Sequence, residues 1–162
     1  MPSSSIFFRE NNIKIGSILF TDGTDFGTTI VADLNSVSYS NFIAVGNTLF
    51  LTVTNGSGNE LWKSDGTATG TTMVKDIYPG ATGSGITVLA AIGSMLFFEA
   101  NDGTYGYELW KSDGTLAGTA MVKDISLGGN ANINVHVAVL NDQLIFSPDD
   151  GPHSYELWKS EC

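Results

Sequence analysis

The sequence has one cysteine and few basic residues, and each shortage excludes a class of protein. Cys162 is the only cysteine among 162 residues, so the chain contains neither an intramolecular disulfide nor a CxxC metal or redox motif. Seven lysines and arginines are scattered singly among seventeen acidic residues, which gives a formal net charge of −10. Because no basic patch is present to displace counterions from phosphates, we predict no nucleic-acid partner and expect anionic membrane surfaces to be poor partners.

Long apolar runs and known catalytic motifs are also missing. No segment approaches the roughly 18 consecutive apolar residues that cross a bilayer, so we predict no membrane insertion. The N-terminal stretch MPSSSIFFRENN has no basic start followed by an apolar run, so we expect no signal peptide in this chain. GxSxG, HExxH and P-loop motifs are absent. We therefore predict no catalytic residue and no enzymatic activity.

The residues that are abundant favour an all-β fold. Hydrophobic residues make up 42% of the chain and aromatic residues 10%, which is enough for a buried core. Nineteen glycines accompany many Thr, Ser, Val and Ile residues. This composition is typical of short strands joined by tight turns.

A repeat organises the sequence. The stretch ELWKSDGT occurs at 60–67 and again at 108–115, and YELWKS occurs at 155–160. Trp62, Trp110 and Trp158 consequently follow one another at intervals of 48 residues. A weaker copy, ILFTDGTDFGTTIVADL, keeps the Asp-Gly-Thr turn and has Leu19 at the tryptophan position.

Each repeat contains four strand-like runs, which in one copy are 86–92, 95–100, 107–112 and 119–125. A four-stranded antiparallel meander of about 45 residues, repeated, is typical of a β-propeller blade, whose faces are buried only when neighbouring blades stack. We therefore predict a single β-propeller-like repeat domain over residues 1–162. Its units are approximately 5–34, 41–77, 86–125 and 134–160.

The first and last units are incomplete by this count. The four units contain three, four, four and three predicted strands, with the opening strand missing from the first unit and the closing strand from the fourth. Exposed strand edges invite pairing with another chain. We therefore expect the chain to form a homo-oligomer through these blades, either as two chains in an eight-bladed ring or as a head-to-tail filament.

The residues ELWKSDGT and MVKDI resemble the bacterial ELWxxDGT repeat family, which is also described as hyalin-like. The resemblance is strong over residues 43–162 and weaker before them. It implies propeller blades of secreted or cell-surface bacterial proteins with no established catalytic residue or defined ligand. Extracellular or cell-surface localisation is an expectation from this resemblance alone.

The repeated tryptophans, Trp62, Trp110 and Trp158, have two interpretations. Large aromatic residues contribute most to core burial, so they are expected to pack between blades. Alternatively, they form repeated platforms on which sugar rings stack. A leucine at position 19 favours packing, since leucine preserves burial but does not stack.

The repeated acids also have structural and functional interpretations. Asp22, Asp65 and Asp113 open Asp-Gly-Thr turns, where the aspartate accepts backbone hydrogen bonds and the glycine supplies a positive φ. Calcium is the alternative, although each loop offers a single carboxylate and lacks the D-x-D-x-D pattern. Glu60, Glu108 and Glu156 are expected to form cross-strand pairs or to lie on a solvated blade edge.

The sequence therefore favours a non-enzymatic structural or interaction protein that assembles with itself. The alternative is a propeller lectin that binds glycans in equivalent pockets between blades. Calcium is the one cofactor that we consider, and no other metal site is predicted.

Overall fold

The described part of the chain is built from antiparallel strands. The structure is a computed structural model that describes residues 17–21, 23–33, 38–133, 136–153 and 155–160, with the backbone alone described for 17–20 and Asp33. These residues form thirteen strands in four sheets. The predicted all-β class and its four-stranded antiparallel sheets are confirmed. Within these ranges, no helix has the length and apolar character needed to cross a membrane.

The first two sheets follow the repeat. In the first sheet, β1 (Ser17–Phe20) pairs with β2 (Thr29–Asp33). The first of the three strands predicted for the first unit, which the run IFFRENN places at 6–12, lies outside the described residues. The second sheet has four strands in chain order: β3 (Ser38–Val45), β4 (Thr48–Asn55), β5 (Gly58–Ser64) and β6 (Thr72–Lys75).

The third and fourth sheets have the same topology. The third contains β7 (Thr87–Ile92), β8 (Met95–Asn101), β9 (Tyr107–Ser112) and β10 (Ala120–Lys123). The fourth contains β11 (Val137–Leu140), β12 (Gln143–Phe146) and β13 (Trp158–Ser160). Each sheet is therefore a meander in which consecutive strands are neighbours.

Both faces of the middle sheets carry apolar side chains because each sheet contacts two others. We call the face toward the next sheet in the chain the forward face, and the opposite face the backward face. Phe50 and Leu61 lie on the forward face of the second sheet, and they share one buried cluster with Leu96, Phe98 and Trp110 of the third sheet. A forward face and a backward face therefore form this contact.

The other two contacts follow the same rule. Phe97 and Leu109 of the third sheet cluster with Leu144 and Phe146 of the fourth. Val31 and Ala32 of the first sheet cluster with Leu51 and Val53 of the second. Because strand side chains alternate between faces, one period-2 pattern supplies both surfaces of each sheet.

Candidate functional site

The three tryptophans lie at the contacts between sheets. Trp110 is 5% exposed, and its ring stacks on Phe98 with centroids 6.5 Å apart and an interplanar angle of 27°. Trp62 packs against the cluster between the first and second sheets, and Trp158 packs against the cluster between the third and fourth. Trp110 therefore has almost no exposed ring surface for a sugar, whereas Trp62 and Trp158 are half-buried.

The indole nitrogens show how these tryptophans contribute to the contacts. Nε1 of Trp62 and Nε1 of Trp110 are buried and have no hydrogen-bond partner within the described ranges. The two residues therefore act through apolar area and through their ring faces, which is the usual source of aromatic stabilisation in a core.

Two of these rings are each covered by a lysine from the preceding sheet. The Lys75 Nζ atom is 5.4 Å from the centre of the Trp110 ring and donates a 2.8 Å hydrogen bond to the Thr119 carbonyl. The Lys123 Nζ atom is 4.6 Å from the centre of the Trp158 ring. The lysine of the repeated MVKD segment therefore joins its own sheet to the next one through a cation–π contact.

The Asp-Gly-Thr turns are held by their own side chains. Asp65 Oδ1 accepts hydrogen bonds from the Thr67 N–H at 2.9 Å and the Thr67 hydroxyl at 2.7 Å. Asp113 Oδ1 accepts the same two bonds from Thr115, at 2.8 and 2.7 Å. These bonds lower the pKa of Asp65 and the pKa of Asp113, because hydrogen bonds to a carboxylate favour its charged form.

The predicted backbone geometry of these turns is confirmed. Gly66 has a φ of 89° and Gly114 a φ of 84°, in the left-handed region that glycine adopts without a steric penalty. Asp22, the third predicted turn aspartate, lies outside the described residues, although Gly23 beside it has a φ of 91°. Among the residues that can be described, no three Asp, Glu, His or Cys side chains form a group that could hold a metal ion. Calcium at these turns remains the alternative interpretation.

The turn of the third sheet also contacts the second sheet. The Lys63 Nζ atom donates a 2.7 Å hydrogen bond to the Gly114 carbonyl. A Cβ atom added at Gly114 would lie 3.2 Å from Phe50 Cζ, so the turn packs closely on that ring. The lysine of the second sheet's ELWKSDGT thus binds the DGT turn of the third sheet's copy.

Glu60 is the centre of a buried hydrogen-bond cluster, and the expectation that it lies on a solvated edge or in a cross-strand pair is wrong. Its side chain is 1% exposed. The carboxylate accepts hydrogen bonds from the N–H groups of Ile77, Tyr78 and Ser84, at 2.9, 3.3 and 2.9 Å, and from the Ser84 hydroxyl at 2.9 Å. Glu60 therefore fixes the loop that leads from β6 to β7.

Glu108 has the same role one sheet later, so the expectation is wrong there too. It is 0% exposed and accepts hydrogen bonds from the N–H groups of Ile125 at 2.8 Å and Ser126 at 3.2 Å. A buried carboxylate needs such donors because its desolvation is costly. We call each glutamate with its N–H donors a loop clasp. Glu156, at the corresponding position of the fourth sheet, is exposed.

The two clasps differ at one position, where Ser84 gives Glu60 two donors. The Ser84 N–H bonds the Asn59 carbonyl just before Glu60, and the Ala131 N–H bonds the Tyr107 carbonyl just before Glu108. Ala131 thus occupies the position of Ser84 but has no hydroxyl to donate. Among the described residues, Glu108 therefore accepts two hydrogen bonds, from Ile125 and Ser126, where Glu60 accepts four.

Burial raises the pKa of both glutamates. The pKa of Glu60 is raised mainly by desolvation, and the donors at Ile77, Ser84 and Tyr78 oppose the shift. The pKa of Glu108 is raised to about 7, again mainly by desolvation and against the donors at Ile125 and Ser126. The negative charges of Asp124 and Glu99 add to the rise at Glu108.

The loop clasps were missed in the sequence, although a signal was present. Glu60 and Ile77 are 17 residues apart, and so are Glu108 and Ile125. A glutamate that precedes LW and is followed at this fixed interval by the isoleucine after MVKD is the pattern that could have identified the clasp.

Two polar clefts lie on the described surface. One, of about 350 Å³, is lined by Gly85, Thr87, Glu99, Tyr107, Asn130 and Asn132. Within it the Tyr107 N–H donates to Asn130 Oδ1 at 2.9 Å, and Glu99 Oε1 accepts from the Ile133 N–H at 2.8 Å. The other, of about 340 Å³, is lined by Thr48, Lys63, Ser64, Asp65, Thr69, Gly70 and Thr72.

Comparison of the chain with protein-family models, with curated proteins and with solved structures gives no match. The resemblance to the ELWxxDGT repeat family therefore remains an expectation from the quoted residues.

Proposed function

We propose that this protein is a non-enzymatic β-propeller-type repeat protein that serves as a structural and interaction scaffold and associates with itself. The four sheets are its blades, and their serial forward-to-backward contacts support a propeller arrangement. Extracellular or cell-surface localisation is part of the proposal, and it rests on the family resemblance alone.

One observation carries the proposal: the forward face of the fourth sheet is exposed. Leu109 on the third sheet is 1% exposed, whereas Leu157, which is 48 residues later and at the same position of the repeat, is 79% exposed. Ile92 is 3% exposed, whereas its counterpart Leu140 is 60% exposed. Exposed apolar side chains that share one face of a sheet are typical of an interaction surface.

The roles of the repeated acids support a non-enzymatic function. The buried carboxylates Glu60 and Glu108 are engaged by backbone N–H groups, and Asp65 and Asp113 stabilise their own turns. Each of these roles recurs in the next sheet. Paired acid–base catalysis needs two carboxylates in contrasting environments, which such recurrence does not provide.

Measurement of molar mass tests self-association. Light scattering coupled to size-exclusion chromatography, repeated over a wide range of protein concentration, should give a mass above that of the single chain. A discrete dimer supports a closed ring, and a mass that grows with concentration supports a filament. A monomer at every concentration would contradict the proposal.

Glycan binding is a second candidate function, and the 350 Å³ cleft is the observation that favours it. The cleft combines a tyrosine with asparagine and glutamate side chains, and such polar groups beside an aromatic ring suit a hydroxylated ligand. This cleft is more accessible to a sugar than the 5%-exposed Trp110.

Calorimetric titration with a panel of neutral sugars tests this candidate. Binding should weaken in Tyr107→Phe, which loses one hydroxyl from the cleft. Tyr105→Phe is the matched control, because Tyr105 is 43% exposed and is not among the residues that line the cleft. The absence of heat with every sugar would argue against glycan binding without affecting the self-association proposal.

A further inference from the structure

We propose that the forward face of the fourth sheet binds the first sheet of a second copy of this chain, in a head-to-tail contact. This inference rests on the proposed self-association and specifies the two surfaces that meet. The contact would reproduce the packing that already joins the sheets within one chain.

The forward face of the fourth sheet repeats the forward faces of the two sheets before it. Strand pairing places Ile145 opposite Lys159, as it places Phe50 opposite Lys63 and Phe97 opposite Lys111. Phe50 and Phe97 are buried against the following sheet, at 1% and 0% exposed.

On the fourth sheet the same face is uncovered. Leu157 is 79% exposed and Leu140 is 60% exposed, while Ile145 is half-buried. The forward face of the fourth sheet thus keeps the apolar residue types of the buried forward faces, although no described residue covers it.

The first sheet carries the complementary surface. Ile30 pairs with Leu19, just as Met73 pairs with Trp62 and Met121 with Trp110. This register places Ile30 on the backward face of the first sheet. Ile30 is 55% exposed, and Phe26 in the adjacent turn is 99% exposed.

The Asp-Gly-Thr turn of the first sheet differs from that of the third sheet in its surroundings. An added Cβ atom at Gly23 would meet no described atom within 4 Å, whereas at Gly114 it would meet Phe50 at 3.2 Å. Lys63, which bonds the Gly114 carbonyl, corresponds to Lys159 on the fourth sheet.

A second copy is the occupant that the internal contacts specify. Each contact between sheets in the chain joins a forward face to a backward face, and the described residues expose one of each at the fourth and first sheets. Two different surfaces that bind each other form a heterologous contact, which closes into a ring or extends as a filament according to its rotation.

Complementing variants test this geometry. Leu157→Glu places a charge on the forward face and Ile30→Glu places one on the backward face, so each variant alone should self-associate at least tenfold more weakly than the parent. An equimolar mixture should recover a dimer, because the Ile30→Glu chain still offers an intact forward face and the Leu157→Glu chain an intact backward face. Sedimentation velocity of the two variants and their mixture gives the result.

The control is Leu127→Glu, which changes an 87%-exposed leucine in the loop after the third sheet and should associate like the parent. Circular dichroism should report the same β content for every variant. If either variant loses its fold, Leu140→Lys replaces Leu157→Glu and Phe26→Glu replaces Ile30→Glu, since both positions are well exposed.

Each remaining outcome overturns the inference in a recognisable way. If Leu157→Glu associates like the parent, another surface mediates assembly, and self-association itself stands. If Leu157→Glu dissociates but Ile30→Glu does not, two forward faces meet each other, and the head-to-tail geometry is wrong. A parent chain that is monomeric at every concentration refutes both this inference and the proposed function.

Discussion

The ammonium nitrogen of Lys75 lies 5.4 Å from the centre of the Trp110 ring, although the two residues belong to different sheets. The same nitrogen donates to the Thr119 carbonyl at 2.8 Å. One side chain therefore connects the second sheet to the third through both a ring face and a backbone acceptor.

Replacing this lysine should weaken the contact between the two sheets. We expect Lys75→Met to lower the free energy of unfolding by about 1–2 kcal/mol, because it removes a cation–π contact and a hydrogen bond from a charged donor. Urea denaturation followed by tryptophan fluorescence measures the change. Lys75→Arg retains the charge and should recover most of the loss; equal destabilisation by Met and Arg would contradict this explanation.

Glu108 should make stability depend on pH between about 4.5 and 7. Its pKa is raised from 4.5 to about 7 in the folded state, so within that range the folded state holds a proton that the unfolded state has released. The free energy of unfolding should consequently fall as pH rises toward 7, by up to about 3 kcal/mol, and then level off. Urea denaturation at a series of pH values measures this slope.

Two variants isolate the contribution of Glu108. Glu108→Gln has no titrating proton and should flatten the slope. Ala131→Ser introduces the hydroxyl that Ser84 supplies to Glu60, so it should lower the pKa of Glu108 and narrow the pH range over which stability changes. Slopes in both variants that match the parent would show that Glu108 is not the titrating group.

Two turn glycines allow backbone strain to be separated from packing. Gly23 and Gly114 have φ values of 91° and 84°, and within the described residues Gly114 alone of the two packs against another sheet. Gly23→Ala should cost about 1 kcal/mol, from the left-handed conformation alone. Gly114→Ala should cost more, since its methyl group would also press on Phe50. Thermal unfolding of both variants gives the comparison, and equal losses would indicate that the Phe50 contact is unimportant.

Calcium is expected to leave stability unchanged. In the Asp65 and Asp113 turns, one carboxylate oxygen already accepts both Thr hydrogen bonds, and a hard cation requires several more oxygen ligands. Thermal unfolding in calcium, with magnesium at the same ionic strength as the control, tests this. A rise in melting temperature specific to calcium, which Asp113→Asn abolishes, would instead identify these turns as binding sites.

The strand segments could be predicted closely from the sequence. The third strand of the third unit was expected at 107–112 and is Tyr107–Ser112, because alternating residues between two turn signals define both of its ends. The last strand was expected at 119–125 but is Ala120–Lys123. It ends early because the following backbone turns toward Glu108, to which Ile125 donates its N–H.

The glutamates could not be placed from the strand pattern, since their environment depends on a distant loop. Alternation assigns Glu60 and Glu108 to a face of the sheet. Their burial, however, comes from loop residues that lie 17 or more positions later in the chain and pack across the end of the strand. The tryptophans were easier to interpret. Their bulk predicted contacts between sheets, and Trp110 packs in such a contact.

The loop clasp also affects how such a chain can lengthen. Glu60 and its donors lie between residues 60 and 84, and this segment runs from one sheet to the loop just before the first strand of the next. A tandem duplication of one 48-residue unit would thus carry a complete clasp together with a matching pair of faces. Growth by whole repeats preserves each buried carboxylate and its donors, whereas a deletion inside the clasp would leave a buried charge without its hydrogen bonds.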